Sequence, residues 1–370
     1  MANKSYKIEK FLKKAIELGA SDLHLKPNSP PKVRILGKLV SLSVKTKGIT
    51  KEIPLTEEEC KTYIEDTMDE RVREEYEKNF SADYAIQIDG LGRCRVNASH
   101  TMGQPSLVAR ILNTKPKTIE ELKLPSVLND IAKSKNGIIL VTGATGSGKS
   151  ATLSSIIHQI NKEEPVSIIT IEDPVETLHT DIKASIMQKE VGKDTKDFVT
   201  AMREAMRQDP DIILVGEMRD QETVKTALHA AETGHLVLST LHTTSASDTL
   251  NRIIDFFPPH EHTQIRISLA ESLRAIISQR LIRTVDGKAR VPALELLRNE
   301  GQIPEAIVKG DTNEIRNILS EDRNRGMQTF EASLISLIRE GTITPEEALN
   351  NTKHKHNFQV ELQKLQILNA

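Results

Sequence analysis

Residues 143–150 combine glycines, a lysine and a serine at the spacing that a phosphate-binding loop needs. Their sequence, GATGSGKS, has glycine at the first and sixth positions, followed by lysine and serine. An apolar stretch precedes the loop, and a stretch with helical apolar spacing follows it. In a strand–loop–helix of this kind, backbone N–H groups point at phosphate oxygens beside the positive end of the helix dipole. We therefore predict a phosphate site here; the alternative is a chance glycine turn before a helix.

Two side chains of this loop predict the ligand. Lys149 is placed to reach the β- and γ-phosphates of a nucleotide, and the Ser150 hydroxyl is placed to bind Mg²⁺. ATP and Mg²⁺ are therefore the expected ligands. The residues expected to contact the nucleotide are Gly143, Ala144, Thr145, Gly146, Ser147, Gly148, Lys149, Ser150 and Ala151.

An acidic segment follows the apolar strand predicted at residues 168–171. Glu172, Asp173 and Glu176 stand within five residues of one another, and Pro174 ends the strand. Carboxylates repel one another, so their clustering at the rim of a phosphate site is expected where a metal ion and an attacking water need them. Glu172 or Asp173 could hold Mg²⁺ through water, and Glu176 could accept the proton of the attacking water. The alternative is an acidic, solvated loop.

Another carboxylate follows the buried strand predicted at residues 211–215. Gly216 stands directly after this strand, and Glu217 comes next. The simplest form of this motif has an aspartate at the end of the strand, but Glu217 can still reach the Mg²⁺ shell if Gly216 tightens the turn. Glu217 therefore joins Ser150 as a candidate metal ligand, and the alternative is a plain strand end.

Two histidines flank the apolar strand predicted at residues 235–241. His235 begins the strand and His242 follows it, a seven-residue spacing that is not a metal-ligand pattern. A histidine at the carboxyl end of a strand could sense a γ-phosphate or contact a neighbouring subunit. The alternative for each is a structural histidine whose hydrogen bonds are satisfied.

The composition argues against several other classes of protein. The 370 residues carry 50 basic and 52 acidic side chains, so the net charge of −2 gives no reason to expect nucleic acid as a partner. Aromatic residues make up 3% and tryptophan is absent, which disfavours base stacking. No apolar run reaches about 18 residues, so direct membrane insertion is not expected. Cys60 and Cys94 lie far apart in the sequence and fit a reducing cytoplasm.

The order of predicted elements divides the chain into an N-terminal α+β part and an α/β part. In the first part, a capping box at Thr56 and Glu59 opens a helix that is predicted through about Glu77. Residues 113–118 are polar and contain a proline, which is typical of a linker. Apolar strands that alternate with helical stretches follow, which predicts a parallel sheet with helices on both faces and ligands beyond the carboxyl ends of the strands. These strands are predicted at residues 137–142, 166–171, 211–215 and 235–241.

Further motifs extend over most of the chain. The most specific are GATGSGKS at 143–150, EDPVE at 172–176, RQDPDIILVGEMRD at 207–220 and TGHLVLSTLHTTSA at 233–246. Others are SDLHL at 21–25, GRCRVN at 92–97, IIDFFP at 253–258, SLRAIISQ at 272–279 and GMQTFE at 326–331. Read together, they resemble the secretion ATPase (GspE/PulE-like) superfamily, and in particular type IV pilus retraction ATPases of the PilT/PilU type. The resemblance covers roughly residues 5–350.

One segment departs from the retraction pattern. The helical motif AIRNLIRE of retraction ATPases appears here as EIRNILSE at residues 314–321, with Ser320 in place of the second arginine. The sequence has no four-cysteine zinc module of the kind that many assembly and secretion members carry. That absence favours retraction over extension.

The resemblance implies a fold and an assembly. The fold is α/β, with a RecA-like P-loop ATPase core, an N-terminal PAS-like α+β domain and a helical C-terminal region, in a ring of six subunits. The implied domains are a PAS-like domain at 1–112, a linker at 113–120, the ATPase core at 121–290 and a mostly helical region at 291–370.

The resemblance also implies roles for single residues. Glu176 matches the catalytic glutamate of the acidic segment, and Glu217 matches the Walker B glutamate. His235 and His242 match a pair of histidines in the family's histidine box. Arg95 and Arg110 fall where arginines of the N-terminal domain approach the nucleotide.

Together these observations predict a cytoplasmic, homohexameric ATPase that drives type IV pilus retraction and twitching motility. Such a motor would act at the inner membrane through the cytoplasmic face of a pilus platform protein. Two alternatives stay open. One is a type II secretion or pilus-assembly ATPase, which differs in its partner, and the other is a nucleotide-gated accessory subunit with low turnover.

Overall fold

A computed structural model describes residues 6–367 of the chain, apart from residues 36, 43, 47–48, 113–114, 322–325 and 354. The chain forms two compact units. The first comprises Met1–Lys115 and Pro174–Leu178, and the second comprises Pro116–Asp173 and His179–Ala370. The predicted domain limits at residues 112, 120 and 290 stay predictions, and Asn113 and Thr114 of the predicted linker lie outside the described residues.

The first unit is an antiparallel sheet packed against helices. Its elements are α1 (Glu9–Glu17), β1 (Asp22–Leu25), β2 (Lys32–Ile35), β3 (Lys38–Ser41), β4 (Val44–Thr46), β5 (Ile49–Lys51), α2 (Glu57–Thr67), α3 (Glu70–Asn79), β6 (Ser81–Ile88), β7 (Gly92–Thr101) and β8 (Gln104–Leu112). The main sheet has the order β3-β2-β1-β8-β7-β6, while β4 and β5 pair with each other. Alternate residues of β6 are buried, because one face of the sheet packs on the helices.

The capping box predicted at the start of α2 is present. The backbone N–H of Thr56 donates to Glu59 Oε2 at 2.8 Å, and the N–H of Glu59 donates to the Thr56 hydroxyl at 3.2 Å. The prediction of one continuous helix through Glu77 is wrong. Extended backbone at Met68 ends α2, and the Asp69 side chain then caps the N-terminus of α3.

The second unit contains a mainly parallel sheet. Its strands are β9 (Gly137–Thr142), β10 (Ser167–Glu172), β11 (Ser185–Glu190), β12 (Ile212–Val215), β13 (Leu236–Leu241), β14 (Leu273–Arg283) and β15 (Arg290–Arg298). The order is β11-β10-β12-β13-β9-β14-β15, and β14–β15 is the antiparallel pair. The four predicted strands are confirmed as β9, β10, β12 and β13.

Helices cover both faces of this sheet. They are α4 (Val127–Ile131), α5 (Lys149–Glu163), α6 (Phe198–Ala205), α7 (Gln221–Glu232), α8 (Ala246–Ile254), α9 (His262–Ser272) and α10 (Ile303–Lys309), with a 3₁₀ turn at Pro259–Glu261. In β9, Ile138 and Leu140 belong to one hydrophobic core, whereas Ile139 and Val141 belong to another. Burial on both faces explains why this strand is an uninterrupted apolar run. None of the described helices is long and apolar enough to cross a lipid bilayer.

The C-terminal part of the second unit is helical, as predicted. Its helices are α11 (Thr312–Glu321), α12 (Phe330–Arg339), α13 (Pro345–Asn351) and α14 (Lys355–Lys364). The sheet nevertheless extends beyond residue 290, because β15 pairs with β14 along its whole length. Val291 and Ala293 of β15 share a hydrophobic core with Phe330 and Leu334 of α12, so the last strand connects the sheet to these helices.

Candidate active site

The glycine-rich loop lies between β9 and α5, at the carboxyl edge of the sheet. Gly148 is the N-cap residue of α5, and its φ of 90° is a conformation that residues with a Cβ rarely adopt. A Cβ at Gly143 would lie 2.4 Å from the carbonyl oxygen of Gln279, and one at Gly148 would lie 2.7 Å from Gln279 Nε2. These two glycines therefore let the loop pack tightly against β14.

Lys149 is buried within the loop that carries it. Its Nζ donates to Gly143 O at 2.8 Å and to Ala144 O at 3.1 Å. Burial lowers the pKa of Lys149, and the Glu217 carboxylate opposes this shift. The loop thus orients its lysine through its own backbone. Among the other predicted ligand residues, Ser147 is buried, whereas Ala144, Thr145, Gly146, Ser150 and Ala151 are exposed.

Gln279 holds the loop from the side, a role that the sequence reasoning missed. Its Nε2 donates to Ser147 O at 2.8 Å, and its Oε1 accepts from Thr152 Oγ1 of α5 at 2.7 Å. The register of β14 places Ser278 opposite Thr142, so the next residue lies beside the loop. Gln279 is the last residue of the motif SLRAIISQ at 272–279. Its uncharged amide does not by itself predict a role in the site, because that role depends on which strand lies beside β14.

Glu217 and His242 come together at the same edge of the sheet. His242 Nε2 lies 3.4 Å from Glu217 Oε2, and the guanidinium of Arg219 contacts the Glu217 carboxylate directly. The two residues follow β12 and β13, which are neighbours in the sheet. The turn at Gly216 is fixed because its carbonyl accepts from Thr240 Oγ1 at 2.7 Å. The structure therefore brings two of the predicted side chains into contact.

His235 lies at the opposite end of β13. Its Nδ1 is 2.9 Å from Ala230 O and 3.2 Å from Thr233 Oγ1, both at the end of α7. The six residues of β13 separate it from His242 by roughly 20 Å. Within one chain, His235 is thus not brought to the loop lysine, and its immediate contacts are those of a structural histidine.

The acidic segment divides between the two units. Glu172 ends β10 in the second unit, where its Oε1 accepts from Thr170 Oγ1 at 2.7 Å and from Gln188 Nε2 at 3.3 Å. Asp173 follows and is exposed. Glu176 is partly buried and belongs to Pro174–Leu178, which is grouped with the first unit. The three carboxylates therefore have three different environments.

The two predicted arginines are neighbours on the sheet of the first unit. Arg95 of β7 and Arg110 of β8 are register partners, and each is paired with a carboxylate. Arg95 Nη2 lies 2.7 Å from Asp83 Oδ2, and Arg110 Nε lies 3.0 Å from Asp22 Oδ1. Burial raises the pKa of Asp22, but hydrogen bonds from Ser21 and Arg110 outweigh burial and hold that pKa below its ordinary value.

A cavity of about 290 Å³ opens beside the start of α5, within the second unit. Gly148, Ala151 and Thr152 form its wall on the side of the phosphate loop. Leu122, Leu281 and Val291 are among the apolar residues of the other walls, with Lys117 and Arg290 near them. The sequence did not predict this cavity, because its walls come from segments that are far apart in the chain.

A loop lysine in a strand–loop–helix unit, beside the carboxyl edge of a parallel sheet, defines a P-loop nucleotide-binding protein with a RecA-like core. The chain belongs to the family described as Type II/IV secretion system protein, which it matches over residues 2–332.

Three similar proteins cover most of the chain. The twitching motility protein of Neisseria gonorrhoeae is 42% identical over 318 residues, which cover 85% of each chain. The type IV pilus retractation ATPase PilT of Pseudomonas aeruginosa is 38% identical over 351 residues, which cover 95% of this chain and 99% of the relative. The crystal structure of the pilus retraction motor PilT with bound ADP is 41% identical, with a TM-score of 0.87 over 96% of this chain and 100% of that one. The predicted fold class and family are thus confirmed.

Proposed function

We propose that this chain is an ATP hydrolase that drives type IV pilus retraction and thereby twitching motility. The observation that carries the proposal is the phosphate loop at the carboxyl edge of a RecA-like sheet, where Lys149 donates to the loop backbone and Gln279 of β14 holds the loop in place. The similarity of this chain to the ADP-bound retraction motor extends over 96% of its length and supports the same activity.

Lys149 would place its positive charge on the β- and γ-phosphates, and the backbone of residues 143–150 would surround them. A preorganised cation at the developing charge is the main source of rate enhancement in phosphoryl transfer, because the transition state is loose and its charge is spread over oxygen atoms. Glu176 would accept the proton of the attacking water.

The donor set near the loop fits Mg²⁺. Ser150 is exposed at the start of α5, and the nearby Glu217 carboxylate partly offsets the lowering of the Lys149 pKa by burial. Among the described residues, no three acidic, histidine or cysteine side chains group closely enough to bind a metal by themselves. This suits Mg²⁺, which usually takes one or two protein oxygens and completes its shell with phosphate and water. When bound, the ion would neutralise phosphate charge; Glu172 and Asp173 stay candidates for contact through water.

The cavity beside α5 would hold the nucleoside. It adjoins the loop through Gly148 and Ala151, and it offers apolar walls at Leu281 and Val291. A flat base fits an apolar slot whose few polar groups fix its orientation. The phosphates would then lie on the loop while the base and ribose enter the cavity.

Retraction also requires an assembly, which we propose is a homohexamer. The ring would act from the cytoplasm on the cytoplasmic face of an inner-membrane pilus platform protein, and would neither bind nucleic acid nor insert into the membrane. The near balance of 50 basic and 52 acidic side chains supports a protein partner rather than a polyanion. A type II secretion or pilus-assembly motor would share this chemistry and differ in its partner.

One observation favours a second candidate, an accessory subunit with low turnover. Ser320 on α11 replaces the second arginine of the retraction motif, and its hydroxyl donates to Asn317 O at 2.7 Å. Steady-state ATP hydrolysis by the purified protein separates the two candidates, because an accessory subunit would bind ATP but turn it over slowly.

The direct test is deletion of the gene, with complementation by the wild type and by Lys149→Ala. Loss of retraction should leave hyperpiliated cells that do not twitch, and only the wild type should restore movement. Deleted cells that lack pili would point to assembly, and cells with normal pili but a secretion defect would point to type II secretion.

A further inference from the structure

The segment that carries Glu176 is flanked by two residues, Glu172 and His179, that both contact one glutamine. Asp173–Leu178 leaves the second unit after β10 and returns to it at His179, with five of its six residues grouped in the first unit. Both ends contact Gln188, which no motif had singled out. The inference below rests on the proposed role of Glu176 as general base.

Gln188 lies on β11 and bridges the two ends with its single amide. In the parallel register it stands opposite Thr170 of β10. Its Nε2 donates to Glu172 Oε1 at 3.3 Å, and its Oε1 accepts from the backbone N–H of His179 at 2.9 Å. Thr170 Oγ1 donates to the same Glu172 oxygen at 2.7 Å. This second bond holds the carboxylate in the orientation that accepts from Gln188.

The returning end is also attached to the helix of the phosphate loop. His179 Nε2 lies 3.2 Å from Ser154 Oγ of α5. Burial lowers the pKa of His179 to about 4, with a further contribution from His158, so its ring is neutral near pH 7. His179, at the returning end of the segment, is therefore held by β11 through Gln188 and by α5 through Ser154.

The middle of the segment is held as well, within the first unit. Arg93 Nε donates to Val175 O at 2.8 Å, and the Val175 side chain is 4% exposed. Glu176 is the next residue, three positions before His179. A short segment whose two ends are held together has few conformations left.

We propose that Gln188 is a positioning residue for hydrolysis, which holds the two ends of Asp173–Leu178 together and thereby places the Glu176 carboxylate. In this role Gln188 acts through the segment and not on the nucleotide. Its loss should therefore slow turnover without weakening nucleotide binding. A small misplacement of a catalytic group commonly costs about a hundredfold in rate, so we expect a fall of about tenfold to a hundredfold.

The test compares Gln188→Leu and Gln188→Glu with a matched control, Gln159→Leu. Gln188→Glu keeps an acceptor for the His179 N–H and loses the donor to Glu172, so it remains informative if the leucine variant does not fold. Gln159 donates to Glu163 at 2.6 Å on the surface of α5, so its variant removes a similar bond away from the segment. Turnover at saturating ATP should fall in both Gln188 variants, the dissociation constant of a fluorescent ADP analogue should stay within about twofold, and the control should match the wild type. Normal turnover in a folded Gln188 variant would overturn the proposal, as would a loss of ADP binding that parallels the loss of rate.

A double-mutant cycle with Glu176→Gln separates this inference from the proposed function. If Gln188 acts through Glu176, adding Gln188→Leu to Glu176→Gln should lower turnover little further. Independent, multiplying losses would show that Gln188 acts elsewhere and would sink the positioning role. Near wild-type turnover by Glu176→Gln alone would instead remove the general-base assignment, and with it the ground for this proposal. An inactive Glu176→Gln beside an unaffected Gln188→Leu would overturn only the role of Gln188.

Discussion

Lys149 and Gln279 show how single side chains prepare the loop for phosphate. Lys149 donates to two carbonyls of its own loop, and Gln279 joins Ser147 to Thr152. Lys149, Ser147, Thr152 and Gln279 are buried, so an unpaired polar group among them would cost about 1–3 kcal/mol. The loop is therefore kept in one shape by hydrogen bonds that are expensive to leave unmade.

Lys149→Ala should abolish nucleotide binding or turnover, because the β- and γ-phosphates lose their point charge. Binding of a fluorescent ADP analogue and steady-state ATP hydrolysis measure the two effects. Lys162→Ala, on the exposed side of the same helix, is the control and should behave like the wild type. Hydrolysis by Lys149→Ala at a near wild-type rate would show that the loop is not the phosphate site.

Gln279→Leu should weaken nucleotide binding by about tenfold, since roughly 1.4 kcal/mol of loop stabilisation corresponds to that factor. The change keeps the bulk of the side chain while removing both hydrogen bonds. The dissociation constant of the ADP analogue is the measurement, with exposed Gln264→Leu on α9 as control. An unchanged affinity in the folded variant would mean that the glycines alone shape the loop.

At the scale of elements, β14 links the phosphate loop to the C-terminal helices. Gln279 contacts the loop, and the next residue, Arg280, donates to Asn351 O at the end of α13. The Arg280 guanidinium also lies 4.1 Å from the centre of the Phe330 ring on α12. Burial raises the pKa of Glu295 on β15, and the hydrogen bond from the Ala246 N–H and the positive charge of Arg280 oppose this shift. Arg280 therefore anchors two helices to the sheet and stabilises the partly buried carboxylate of Glu295.

Arg280→Met should lower the free energy of unfolding by about 1–3 kcal/mol, because it removes a charged hydrogen bond and a cation–π contact while keeping an apolar stem. The midpoint of thermal unfolding, followed by circular dichroism, should fall by several degrees. Arg283→Met, at the exposed end of the same strand, is the control and should change the midpoint little. Equal midpoints for both variants would show that the helices are held by their apolar core alone.

At the scale of the whole molecule, the predicted arginines belong to a different unit from the phosphate loop. Arg110 is 66% exposed at its side chain and Arg95 is 37% exposed, and each forms an ion pair. The Arg95–Asp83 pair is exposed on both sides, and such pairs contribute about 0–1 kcal/mol, so exchanging Asp83 for a γ-phosphate would cost little. The Asp22 partner of Arg110 is buried, so the same exchange is harder for Arg110. The hypothesis is that at least one arginine completes a nucleotide site when domains or subunits close.

The double variant Arg95→Ala/Arg110→Ala should assemble and bind ATP but hydrolyse it poorly, by analogy with arginine fingers that contribute about 10³–10⁵ in rate. Turnover per subunit of the wild type should rise with protein concentration as rings form. Arg34→Ala is the control, because Arg34 lies on the same sheet and 3.9 Å from the shared partner Asp22. A stable monomer whose turnover is independent of concentration and unaffected by the double change would exclude the hypothesis.

The sequence by itself determined the parts of the site that are contiguous in the chain. The loop at residues 143–150 and the parallel strands were readable because glycine spacing and uninterrupted apolar runs are local signals. Because parallel strands end at one edge, the sequence also predicted that Glu217 and His242 lie at the same edge of the sheet, and the structure brings these two side chains together. The same rule puts His235 at the other end of its strand, where its ring nitrogen lies 2.9 Å from Ala230 O.

Only the tertiary structure decided the contacts between residues that are distant in the chain. Gln279 reaches Ser147 across 132 positions because β14 pairs with β9, and no local pattern predicts strand order. Gln188 closes the acidic segment because β11 pairs with β10 in one particular register. An amide carries neither charge nor nucleophile, so its role depends entirely on what the fold places within about 3 Å of it.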